Sequence, residues 1–104
     1  MKYGLSEITL IKIVSVLEQF PEIEEAILYG SRAKGNFKPS SDIDIVLKGD
    51  DLHLQILSQV ILKLDDLLLP SKFDLSIYHH ITNKDLADHI TRMGKMLYRA
   101  KVEG

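Results

Sequence analysis

Glu25-Ala26-Ile27-Leu28-Tyr29-Gly30-Ser31-Arg32-Ala33-Lys34-Gly35, followed after five residues by Ser41-Asp42-Ile43-Asp44-Ile45-Val46-Leu47, is the stretch on which the fold turns. The apolar run ending at Tyr29 is too short for a helix and is stopped by Gly30, so it reads as a buried strand. Residues 30–41 hold two glycines, a proline and three serines. Such a segment turns freely, with room for one helical turn starting near Ser31. Beyond it Ile43, Ile45 and Leu47 alternate with Asp42, Asp44 and Val46. That period of two, rich in β-branched residues, marks a second strand.

Working outward, Ser6 stands as an N-cap before Leu10, Ile13, Val14 and Leu17, the spacing of one helical face, and Phe20-Pro21 closes that helix. Downstream, Gly49-Asp50-Asp51 ends the second strand. Leu52, Ile56, Leu57, Val60, Ile61, Leu64, Leu67 and Leu68 then draw a broad stripe along a helix over Leu52–Leu69. The stripe is mostly core, but its size leaves part of it available to a partner. Pro70-Ser71 breaks the pattern, and Phe73, Leu75 and Ile77 alternate with Asp74, Ser76 and Tyr78 in a third strand. Asn83 and Asp85 open a short helix toward Arg92, stopped by Gly94; Met96-Leu97-Tyr98 is apolar but too brief to assign. This order implies one domain over residues 1–104 of the α/β (α+β) class, a small mixed β-sheet flanked by helices. Strand direction stays open.

The 104 residues carry 13 basic and 15 acidic side chains, a formal net charge of -2. Nothing in that balance drives the chain onto nucleic acid or an anionic membrane, so phosphate contacts must be local and direct nucleic-acid binding is not expected. The absence of cysteine excludes disulfides and thiolate zinc sites. MKYGLSEITL lacks the apolar core of a signal peptide, and no run approaches the ~20 apolar residues that span a bilayer. A cytoplasmic protein without a membrane partner is the expectation.

Asp42 and Asp44, two apart on a strand, project from one face. An arbitrary pair of this kind merely decorates a solvated edge. Here the apolar neighbours imply a buried strand, and a buried carboxylate pair needs a cation to offset desolvation and repulsion; oxygen ligands select Mg²⁺ or Mn²⁺. Asp74 joins the pair if the second and third strands are neighbours, giving either two metal ions or one metal plus a general base for a hydroxyl nucleophile. Gly30-Ser31, at the end of a strand where a helix starts, offers backbone N–H groups and a hydroxyl to a phosphate. Arg32 and Lys34 add positive charge there, although basic residues on one helical turn also serve as plain solvated surface. His79-His80 reads as a surface turn, His53 and His89 carry no signal, and Tyr3, Tyr29, Tyr78 and Tyr98 read as part-buried rings.

Gly30-Ser31-Arg32-Ala33-Lys34-Gly35 with Ser41-Asp42-Ile43-Asp44-Ile45 resembles the signature of the DNA polymerase beta nucleotidyltransferase superfamily, and within it the minimal nucleotidyltransferases, or MNT proteins. The likeness runs through Asp74 to the segment Ile90–Tyr98. It implies a mixed sheet flanked by helices, Asp42, Asp44 and Asp74 as metal ligands with Asp74 activating the acceptor hydroxyl, and Gly30 with Ser31 as the triphosphate-binding pair. The helical substrate domain of larger members is not expected within these 104 residues, so the acceptor site is expected to come from elsewhere. MNT proteins are commonly paired with a HEPN partner, a helical ribonuclease toxin. The resemblance therefore implies a metal-dependent protein adenylyltransferase that moves AMP from ATP onto a toxin tyrosine and so acts as antitoxin. An antitoxin that works by binding alone, and transfer to a small molecule, are the competing readings.

Overall fold

A computed structural model describes residues 1–101. Its elements follow the order α1 (Glu7–Leu17), β1 (Glu25–Tyr29), α2 (Gly30–Lys34), β2 (Ile43–Lys48), α3 (Leu54–Asp65), β3 (Phe73–Ile77), a 3₁₀ turn (Tyr78–His80), α4 (Lys84–Met93) and β4 (Lys95–Arg99). Ser6 caps α1, its side chain accepting from the Thr9 N–H, and Asn83 caps α4 by accepting from Asp85 and Leu86. The unassigned apolar segment is thus strand β4. It completes a four-stranded sheet of order β3-β2-β1-β4.

β1 runs antiparallel to both β2 and β4, whereas β2 and β3 are parallel. Parallel neighbours need a crossover, and the stretch holding α3 supplies it. The strands' alternation then sorts side chains onto two faces. On one face Ala26, Leu28, Ile43, Ile45, Leu47, Leu75 and Ile77 pack with Ile13, Leu17, Val60 and Leu64 of α1 and α3. Each leucine, isoleucine or valine among them, fully buried, contributes about 1.5–3 kcal/mol. The other face has a smaller core of Ile27, Tyr29 and Val46 against Ile90 of α4, with Tyr78, Ile81 and Leu86 beside it. Much of that second face is left to polar groups.

The second helix of the sequence reading is shorter at both ends than Leu52–Leu69. Leu52 is buried ahead of α3, and after Asp65 the chain turns until Leu68 stands at φ 55 and 88% exposed. Strand β2 likewise begins one residue later than the alternating pattern: pairing to the β3 side starts where the Ile43 N–H donates to the Lys72 carbonyl, and Asp42 lies just before it.

Candidate functional site

The parallel register sets Asp44 directly beside Asp74, and the antiparallel one sets Asp44 beside Tyr29, the residue before Gly30. Neighbouring strands lie about 4.8 Å apart, so one β2 carboxylate is flanked by a β3 carboxylate and by the end of β1. Asp42, just ahead of β2, is near enough for its charge to act on Asp44. Asp44 is half-buried, while Asp42 and Asp74 are exposed. The sheet therefore brings together the three aspartates that the sequence singles out. Among the described residues, no three acidic, histidine or cysteine side chains stand as a formed coordination shell.

The electrostatics follow from this crowding. Burial, reinforced by the charges of Asp74 and then Asp42, pushes the Asp44 carboxyl up to about 6, with Arg32 opposing. Burial also raises the Tyr29 phenol, whose oxygen lies 3.3 Å from Ser76 Oγ on β3.

Gly30 meets this group at φ 74, a conformation open to glycine, and a Cβ at that position would run into the Asp44 carboxylate. Glycine is what lets the turn close onto β2. Its N–H donates to His89 Nε2 of α4 at 3.1 Å, so this amide is directed toward α4. Ser31, half-buried, follows in the first turn of α2, and Lys34 is exposed at its end.

Arg32 departs from the sequence expectation of a phosphate contact. It is only 2% exposed. Its guanidinium donates to the Tyr3 carbonyl at 2.8 Å, the Pro39 carbonyl at 3.1 Å, the Ser41 carbonyl at 3.1 and 2.9 Å, and Ser71 Oγ at 3.0 Å. Phe37 lies against it, ring centroid 5.5 Å from the guanidinium carbon. Buried and engaged with the Tyr3, Pro39, Ser41 and Ser71 segments, the side chain is a fork that holds loops. The grip on Ser41 also explains why Asp42 lies outside β2. Burial lowers the Arg32 pKa, and Asp44 opposes that shift.

His89 is the residue that sequence reasoning missed. Its signal was positional: Leu86 and Ile90, three before and one after, pack into the smaller core, so His89 sits on the inward face of α4. His79 and His80 lie exposed in the 3₁₀ turn, as expected. A groove of about 600 Å³ lined by Glu24, Lys48, Asp50, Tyr78 and Arg99 lies toward the opposite end of β2 from Asp44.

The family model described as polymerase beta, nucleotidyltransferase matches residues 11–103. No curated protein matches the sequence. Among solved structures, a toxin–antitoxin complex with AMP-PNP is 26% identical with a TM-score of 0.69, the match covering 93% of this chain and 76% of that one. The MntA–HepT toxin–antitoxin is 24% identical with a TM-score of 0.68, covering 91% and 74%. A structure of the tri-AMPylated Shewanella oneidensis HEPN toxin in complex with MNT antitoxin is 23% identical with a TM-score of 0.69, covering 92% and 74%. At their level of identity the last two establish the shared fold. With nearly the whole chain matched and the motif residues gathered on one sheet face, the chain belongs to the polymerase beta nucleotidyltransferase family.

Proposed function

We propose that this chain transfers AMP from ATP to a hydroxyl, a tyrosine of a HEPN-type toxin, and so acts as that toxin's antitoxin. The observation that carries the reading is the pairing of Asp44 with Asp74 across parallel strands, beside a Gly30-Ser31 turn that closes onto the same carboxylate. Relatives support the finer points: one complex of this fold was solved with AMP-PNP, and another contains an AMPylated HEPN toxin.

The donor set is all oxygen, and Asp44 is raised by burial and then by the charges of Asp74 and Asp42, which together fit a hard divalent cation, Mg²⁺ or Mn²⁺. Asp42, Asp44 and Asp74 would hold it, and it would supply charge to offset theirs and that developing on the reacting phosphate. Asp74, exposed on an edge strand, is open to an arriving acceptor. It takes the hydroxyl proton as that oxygen bonds to the α-phosphorus, and the bond from the α-phosphorus to the bridging oxygen breaks, releasing pyrophosphate. The Ser31 hydroxyl and amide hold the terminal phosphates, and Lys34 adds positive potential. Arg32 acts through the field, favouring the Asp44 anion from a buried position.

The test is α-labelled ATP with Mg²⁺, applied to the chain together with its co-purifying partner and resolved on a denaturing gel. Label on the partner band, absent with Asp44→Asn, is the expected result. A stable complex that takes no label from any of the four nucleotides would overturn transfer in favour of neutralisation by binding.

A further inference from the structure

The start of α2 has no side-chain cap of its own: Tyr29 occupies the N-cap position without a side-chain hydrogen bond. Its first amide, on Gly30, is instead taken by an imidazole from another element, His89 Nε2 of α4 at 3.1 Å. The His89 ring also stands edge-on to Tyr29, centroids 6.2 Å apart. Gly30 has no side chain with which to anchor the turn, and Asp44 leaves no space for one. A glycine in this conformation, free of such a bond, samples other backbone geometries and swings Ser31 with it. The bond also satisfies a part-buried backbone donor.

We infer that His89 is the positioning residue of the phosphate-binding turn: by capping Gly30 from α4 it fixes where Ser31 presents its hydroxyl and amide. Accepting through Nε2 requires the neutral ring to keep its proton on Nδ1. The Gly30 amide therefore contributes to the site through shape and anchorage, and phosphate hydrogen bonding falls to Ser31. This rests on the nucleotidyltransferase reading above.

The experiment compares the full chain with His89→Phe, which keeps a ring against Tyr29 and removes the acceptor, and with His89→Gln, whose Oε1 reaches about as far as Nε2. Two readouts are taken: AMP-PNP affinity with Mg²⁺ by calorimetry, and the Gly30 amide resonance without nucleotide. His89→Phe is expected to shift that resonance and to weaken AMP-PNP by about tenfold, the worth of one hydrogen bond, and His89→Gln to recover most of the affinity. Should His89→Phe fail to fold, His89→Leu replaces it. A folded acceptor-less variant that binds AMP-PNP as tightly as wild type, or leaves the Gly30 resonance unmoved, overturns the role of His89. A wild-type chain that binds no AMP-PNP overturns the nucleotide reading itself, an outcome distinct from loss confined to the variants.

Discussion

Asp44 bears the electrostatic strain of the site. Folding partly buries it between Asp74 and Asp42 and raises its pKa from 3.8 to about 6. The folded chain thus holds this proton more tightly than the unfolded chain. The group's stabilising contribution is full below the unfolded value and is lost as pH rises through about 6. Asp44→Asn, which has no such proton to lose, should gain stability relative to wild type between about pH 4.5 and about pH 7.5, as urea unfolding at the two pH values will show. An equal difference at both would mean that the carboxylate ionises freely in the fold. With the proposed metal site, Mg²⁺ should raise the wild-type unfolding temperature more above pH 6 than below it, and leave Asp44→Asn nearly unmoved. Asp74 sits in the same register but in the open, and its proposed task is proton transfer. Asp74→Asn should lower the transfer rate by about 10²- to 10⁴-fold in the labelled-ATP assay. Retention of the full rate would assign the acceptor proton to another group.

At the scale of elements, local signals reported well where a cap or a period dictated the outcome, and poorly where a distant partner did. Ser6 and Asn83 both cap the helices they announced, β1 stands where its short apolar run placed it, β3 where alternation did, and β2 one residue inside its alternating pattern. β4 was not assignable from Lys95-Met96-Leu97-Tyr98-Arg99, because an edge strand with charged ends and Met96 45% exposed owes its state to pairing with β1, across most of the chain. The parallel direction of β2 and β3 was equally invisible, being set by the crossover. The far end of α3 shows the opposite failure, in which an apolar period ran on after the helix had ended. Pro70 bars helix from the residue before it, and Leu68 ends at φ 55, where an L side chain pays about 1–2 kcal/mol. Since Leu68 is 88% exposed, its side chain contributes little burial in return. Leu68→Gly should therefore stabilise the fold by up to about 1 kcal/mol after the entropy of glycine is deducted, measured as a higher urea midpoint. At Gly30 the sign reverses: Gly30→Ala places a Cβ against Asp44 in a left-handed backbone, and should cost about 1–3 kcal/mol along with nucleotide affinity.

Across the whole molecule, the two sheet faces divide the labour, one filled by the α1 and α3 core and the other shared between a small core and the carboxylates. The candidate carboxylates and the Gly30-Ser31 turn were legible because their chemistry is written in residue types at fixed spacing. Arg32 was not, since most of its acceptors are main-chain carbonyls, which any residue supplies and no pattern announces. Those acceptors lie at Tyr3, Pro39, Ser41 and Ser71, so one guanidinium ties the N-terminal segment, the loop before β2 and the loop before β3 to α2. A charge so buried persists only with its donors engaged, and a lysine ammonium does not reproduce a planar fork aimed at four acceptors. Arg32→Lys should accordingly lower unfolding free energy by about 2–4 kcal/mol, with Ser71→Ala costing nearer 1 kcal/mol, both read from urea midpoints. If Arg32 instead reached the triphosphate, Arg32→Lys would keep the wild-type midpoint and weaken AMP-PNP alone. The paired measurement separates a side chain that builds the site from one that touches its substrate.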